Sequence, residues 1–416
     1  MSRNKPDAST LDNGLMMARE HKRRNLHLIP RTRPNFDIAS LLTSMRYGRT
    51  PGDHCNAAES AVASRLGVRH VILTPSGRGG LFLLLQCLPS GRVCIPGYTC
   101  SAVAEAIALS DREITYLEHS RGSINLTTED IAGRLQPGDI FVLTHQYGYA
   151  TNVAQIVEAA TQQGAIVIED IAAAFAGACN GKPLGSFGLA AFGSFDTSKL
   201  IHVPMKGGFV ATDDDALAAT LRTRAKLVFH RMSVTHATRL VLLGCLLHLV
   251  TRPTLYWLFH AINFRLRGKT SAEDGILARK LNAFYSTEFA EWQAAIALPQ
   301  LRRLDEIIHR RAEVHDILQA ACASSTLFKS EPSPPEIAGT SVRLPIYAIA
   351  DKMALYQSLV ANGVDCGFSF TMLATPKSLS ESWRIAGSVL NLPCYGSITP
   401  DELTRLAMTL ESLEKQ

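Results

Sequence analysis

Asp170 and Lys199 are of residue types, and at a spacing, that can do chemistry together. Asp170 closes a short apolar run, Ala165 to Ile168, through Glu169. The length and β-branched content of that run predict a buried parallel strand. A loop with the turn residues Gly181, Pro183 and Gly185 follows, then a second apolar run, then Ser194-Phe195-Asp196-Thr197-Ser198-Lys199, with Gly207-Gly208 shortly after. An acid ending one buried strand and a lysine just past another suit pyridoxal phosphate (PLP), gripped at its aldehyde by the lysine and at its ring nitrogen by the carboxylate. A lysine amine attacks an aldehyde only when unprotonated, which requires desolvation or nearby positive charge. A carboxylate beside the ring nitrogen favours its protonated form. On their own the two residues also fit a helix-capping aspartate and a solvated loop lysine.

The neighbouring motifs make the case specific. Glu169-Asp170, Gly185-Ser186-Phe187-Gly188, Ser194-Phe195, Ser198-Lys199 and Gly207-Gly208 occur in order. In this the chain resembles the nucleotide-sugar aminotransferases of the DegT/DnrJ/EryC1/StrS family, from about Val68 to the C-terminus with an interruption near 225–275. The resemblance implies PLP-dependent transferase fold type I. That is an α/β architecture with a large domain built on a mostly parallel seven-stranded sheet and a smaller C-terminal α+β domain. It implies Lys199 and Asp170 as catalytic residues and Ser194 as a phosphate ligand.

Further candidates sit at the ends of predicted strands. His70 to Thr74 reads as a strand, followed by Pro75-Ser76-Gly77-Arg78-Gly79-Gly80 and an apolar helix from Leu81. A strand, glycine-rich turn and helix start make an anion site, because unpaired backbone N–H groups and the positive helix end face the ligand. By resemblance Ser76, Gly77, Arg78 and Gly79 cradle the cofactor phosphate, where Arg78 offers a charge-assisted contact. Val93 to Pro96, Ile114 to Leu117 and Ile140 to Thr144 read as further strands. After the first, Cys100 stands where the family has a ring-stacking aromatic, which leaves Tyr98 as a candidate for that contact or as a packing tyrosine. After the third, His145-Gln146-Tyr147-Gly148 matches a family motif, and His145 either lines the site or supports it. Departures from the family pattern are Ala173, Leu200, and Ser286 and Glu288 in place of an Asn and an Arg. The absent Asn would reach the partner subunit's phosphate site.

Behind these motifs stands a chain of 416 residues, 46% hydrophobic and 19% charged, with a net charge of +5. It is long enough for more than one domain. Residues 1–35 read as a flexible basic arm with eight Lys/Arg against three Asp/Glu, including Lys22-Arg23-Arg24. Residues 36–275 read as the large domain and 276–416 as the linking helix and small domain. Helical spacing covers Ile38 to Leu66, with Ala57, Ala61 and Leu66 on an apolar stripe. Phe289 to Ile296 and Gln300 to Asp305 resemble the family's linking helix, and Ser324 to Gly339 a loop into the small domain. Thr399-Pro400-Asp401-Glu402 carries capping-box chemistry. Nine cysteines without a Cys-x-x-Cys pair suggest neither a metal site nor a disulfide framework. No nucleic-acid footprint is evident, and the N-terminus lacks the apolar stretch of a signal peptide, so a cytoplasmic protein is expected.

An apolar insertion at 229–268 is the least ordinary stretch. Its two runs, Leu240 to Val250 and Thr254 to Phe264, are each too short to span a bilayer and are broken by Arg252-Pro253. Flanking Arg231, Arg239, Arg265, Arg267 and Lys269 suit a helical hairpin lying on anionic lipid at the inner face of the membrane. A hairpin buried against the body or a partner subunit is the alternative. The leading expectation is a homodimeric PLP aminotransferase moving an amino group from an amino-acid donor to a keto-sugar nucleotide for polysaccharide or lipopolysaccharide synthesis. Lys199 argues against the family's sugar dehydratases, which carry histidine there. A PLP enzyme acting on a lipid-linked or acyl substrate, and a catalytically degenerate membrane-associated relative, remain alternatives.

Overall fold

The computed structural model describes residues 27–49, 53–149, 152–204, 206–266, 282–332, 337–338, 342–370 and 373–413. Most of the basic arm, Lys22-Arg23-Arg24 included, lies outside the described residues, as do Arg267, Lys269 and Pro334-Pro335. Seven strands form the large sheet: β1 His70–Thr74, β2 Val93–Pro96, β3 Ile114–Leu117, β4 Ile140–Thr144, β5 Ile166–Asp170, β6 Ala190–Ser194 and β7 Gly208–Thr212. Their order across the sheet is β1-β7-β6-β5-β4-β2-β3. β7 is antiparallel to both neighbours, and the other pairings are parallel. The registers set Thr144 beside Asp170, Asp170 beside Phe192, Ser194 beside Gly208 and Gly208 beside Thr74. The ends of β1, β4, β5 and β6 therefore share one edge, where open α/β sheets bind ligands.

Apart from β3 at the sheet edge, the strands are buried almost throughout, which explains their continuous apolar runs. On one face pack α3 Gly77–Cys87, α4 Ser101–Ala108 and α6 Asp215–Val228. On the other pack α2 His54–Leu66, α5 Val153–Gln162 and α9 Glu291–Arg302. The stretch expected as one helix over 38–66 divides into α1 Ile38–Ser44, a 3-10 turn Met45–Arg49, and α2. The buried stripe of α2 is Ala58, Val62 and Leu66, not Ala57 and Ala61. α3 begins at Gly77, four residues before the expected start, because Ser76 caps it: its Oγ accepts from the Gly79 N–H at 3.0 Å.

The three-stranded sheet of the C-terminal part has β9 Leu344–Ala348 between β8 Phe328–Ser330 and β10 Val389–Leu392. With α10 Leu304–Cys322, α11 Lys352–Ala361 and α12 Pro400–Ser412 it encloses a separate core. Thr399 and Glu402 form the expected reciprocal cap, with N···O distances of 2.9 and 3.3 Å. Residues 27–35 pack on this part: Ile29 exchanges backbone bonds with Gly363 and Asp365, and Arg33 pairs with Glu402 at 2.8 Å.

The insertion forms α7 Val234–Val250 and α8 Pro253–Leu266, bent by 107° at the break. Among the described residues no single helix is long and apolar enough to cross a membrane. One side of α7, formed by Ala237, Leu240, Val241 and Gly244, is buried. A Cβ on Gly244 would lie 3.3 Å from Leu41 and Pro204, so that contact is tight. From α8, Tyr256 donates to Asp365, which also accepts from Tyr356 at 3.1 Å. His260 bonds the Tyr356 hydroxyl at 3.0 Å. The hairpin thus packs on the body along one side.

Candidate active site

Asp170 ends β5 with its carboxylate buried, and Lys199 lies five residues beyond the end of β6. Their ionisations report on each other. Burial pushes the Asp170 carboxyl above its ordinary value, against a hydrogen bond from the Ala172 N–H at 2.9 Å and the opposing charge of Lys199. Burial pushes the Lys199 ammonium down, and the positive charge of Arg343 pushes the same way. Asp170 and Asp196 oppose that shift. The amine is thereby moved toward the unprotonated form that attacks an aldehyde.

Glu169 points to the other face of β5, as strand alternation requires. It accepts from the N–H groups of Gly185, Phe187 and Gly188 at 2.8, 2.6 and 2.9 Å and bonds His145 Nε2 at 3.0 Å. Although burial favours its neutral form, the bonds from His145 and these amides hold its carboxyl low. The Gly185–Gly188 turn is therefore built around one buried carboxylate. His145 supports that carboxylate, and its charge also bears on Asp170.

At the far end of the sheet edge, the first turn of α3 lies against β6 and β7. A Cβ on Gly208 would come within 2.5 Å of the Gly77 nitrogen, and one on Gly77 within 3.2 Å of the Gly193 carbonyl. The glycines let backbone approach backbone at the start of α3, whose first-turn N–H groups have no partner within the helix. Ser76 Oγ, besides capping Gly79, donates to the Phe284 carbonyl at 2.6 Å. Ser194 Oγ accepts from the Asp196 N–H at 3.3 Å. The Arg78 guanidinium pairs with Glu105 at 3.1 Å and lies over the Phe284 ring. Tyr98 is fully buried, its hydroxyl 2.7 Å from that of Tyr147. It sits among Ile124, Tyr147, Leu373 and Phe370. Cys100, by contrast, is among the groups whose charge acts on Lys199.

Several residues that the motifs did not flag converge on Lys199. Asp196 pairs with Lys206 at 2.7 Å, and despite burial the two lysines hold its carboxyl down to about 2. The Lys199 carbonyl accepts from His202 Nε2 and from Arg311 at 3.4 Å. His202 Nδ1 accepts from the Asn35 N–H at 3.0 Å, so the ring is neutral with its proton on Nε2. Burial lowers its pKa to about 4. Gln300 clamps the His202 backbone at 3.0 and 2.7 Å, and Gln293 donates to the Lys206 carbonyl at 2.9 Å. α9 therefore fixes the segment that carries the lysine. Leu200, where the family often has Asn, is buried in the core. Ser286 bonds the carbonyl of Asn282 at 3.1 Å.

The fold resembles that of a DegT DnrJ EryC1 StrS aminotransferase from Brucella abortus, with TM-score 0.69 and 20% identity over 91% of this chain and 95% of that one. It also resembles DesI, determined in the presence of its TDP-sugar product, with TM-score 0.71 and 22% identity over 93% of each. In sequence, a dTDP-4-dehydro-2,3,6-trideoxy-D-glucose 4-aminotransferase from Saccharopolyspora spinosa is 32% identical over 170 residues, 39% of this chain and 44% of its own length. A UDP-N-acetyl-3-dehydro-alpha-D-glucosamine 3-aminotransferase from Acidithiobacillus ferrooxidans is 31% identical over 175 residues, 41% of this chain and 47% of its own. The match spans less than half the length of these curated relatives. The profile of the DegT/DnrJ/EryC1/StrS aminotransferase family matches residues 35–411, and the chain belongs to that family.

Proposed function

We propose that the protein is a PLP-dependent aminotransferase that moves an amino group from an amino-acid donor to a keto-sugar nucleotide. The observation that carries this reading is the placement of buried Asp170 at the end of β5 and of Lys199 just past β6, at one edge of the sheet, where each charge acts on the other. The residues fit the cofactor. A buried carboxylate with a raised pKa is suited to a cationic ring nitrogen. A glycine-lined helix start beside two serines suits a phosphate. PLP, when bound, supplies an electron sink for the substrate carbon. Ser76, Ser194 and the first-turn amides of α3 would hold its phosphate. Asp170 would keep the ring nitrogen protonated. Lys199 would hold the cofactor and, once displaced by the donor, carry a proton on Nζ to and from the reacting carbon.

The keto-sugar nucleotide follows from the relatives' substrates, and a homodimer from the family resemblance. All nine cysteines are free, which suits a reducing cytoplasm. The test is borohydride reduction of the full chain after incubation with PLP, followed by peptide mass spectrometry. A pyridoxyl group on the Lys199 peptide is the expected result. Labelling confined to another lysine, or none, overturns the assignment.

A further inference from the structure

The hairpin α7–α8 takes no part in the chemistry above, yet it carries a large share of the exposed apolar side chains. On α7 the outer leucines are Leu242, Leu246 and Leu249, with relative exposures of 64, 54 and 39%. On α8 they are Leu255, Leu258, Phe259 and Ile262, between 41 and 50% exposed. Spacings of three and four residues place each set on one stripe of its helix. Arg239, also exposed, precedes Leu242 by three positions and shares the α7 stripe. This stripe lies opposite the buried side formed by Ala237, Leu240, Val241 and Gly244.

The outer faces cannot turn inward. α7 is pinned by the Gly244 contact with Leu41 and Pro204, and α8 by the Tyr256 and His260 bonds to Asp365 and Tyr356. What covers the apolar stripes must come from outside, and charge identifies it. From Phe229 to Thr270 the sequence has six Lys/Arg and no Asp or Glu. Arg231, Arg239 and Arg252 are exposed, Arg252 at the corner between the helices. A two-fold contact with a second copy would set this acid-free surface against itself, like charge against like. A straight span is excluded by the 107° bend. A bilayer surface containing anionic phospholipid meets both requirements, offering an apolar interior just beneath a negative plane.

We propose that α7–α8 docks the protein on anionic phospholipid, with the Leu246 and Leu258 stripes immersed and the arginines at the headgroups. Peripheral attachment of this kind leaves the chemistry at Lys199 untouched, so it stands or falls separately from the aminotransferase reading. The test is co-sedimentation of the full chain with vesicles of phosphatidylcholine alone or mixed with phosphatidylglycerol. Binding should appear with the mixed vesicles and fall as salt is raised. Leu246→Glu with Leu258→Glu should weaken it by about ten-fold or more, from the lost apolar burial. Arg239→Gln and Arg252→Gln should each weaken it ~5-fold, and their melting temperatures establish that the fold is intact. No sedimentation with the mixed vesicles overturns the proposal, as does binding that none of the four substitutions weakens. So does a leucine variant that merely dissociates into a smaller species by light scattering, which would assign the face to contacts between copies.

Discussion

Lys199 combines two properties that rarely coincide, a destabilised ammonium and a rigidly held backbone. Replacing it with arginine keeps a cation but removes the amine that can lose its proton. Lys199→Arg should abolish borohydride labelling and lower turnover about 10²–10⁴-fold, the loss expected for a missing proton carrier. Asp170→Asn removes the carboxylate that would face the ring nitrogen. It should weaken PLP retention and slow turnover, while leaving the borohydride label on Lys199 when PLP is in excess. The two variants together separate holding the cofactor from tuning it. At this scale the positions of Asp170, Lys199, Ser76 and Ser194 at or just past strand ends were legible, because apolar runs mark where the strands stop. Asn35, Arg311 and Arg343 were not, because they arrive from parts of the chain that no local pattern connects to the lysine.

Elements show why Glu169 and Asp170 stand side by side. Alternation along β5 sends one carboxylate toward Lys199 and its neighbour into the Gly185–Gly188 turn. Glu169→Ala would strand three backbone N–H groups and His145 in the interior. At about 1–3 kcal/mol for each unsatisfied buried group, the loss should be roughly 3 kcal/mol or more. Urea unfolding should show it as a lower midpoint, whereas Glu169→Gln should retain part of the stability. That role was readable in principle from the strand period, although the motif alone presents both acids as one unit. Strands β1 to β4 fall where their apolar runs predicted. Helix starts were less legible: α3 begins inside a glycine run, where the cap made by Ser76 outweighs low propensity.

For the whole molecule, acid sensitivity follows from buried neutral imidazoles. Burial lowers the His202 and His119 pKa values from 6.5 to about 4. Between those values the unfolded chain binds a proton that the folded chain refuses, so stability falls as pH falls from about 6.5 to about 4. Each histidine contributes up to about 3 kcal/mol to that loss. Asp196 acts at lower pH: its carboxylate is stabilising above its unfolded value and loses that contribution as pH falls toward about 2. Denaturant titrations from pH 7 to pH 4 should show the decline, with a shallower slope in His202→Gln. None of this was visible in composition, because it depends on which histidines the tertiary structure seals away.

Asp365 joins three pieces of chain: its carboxylate accepts from Tyr256 of α8 and Tyr356 of α11, and its backbone N–H donates to the Ile29 carbonyl of the 27–35 segment. These pieces share one fastening, so the C-terminal part cannot slide past the insertion without tearing it. The same hairpin touches Pro204 through Gly244, midway along α7, five residues along the chain from Lys199, so the insertion spans from the C-terminal core to the loop that carries the lysine.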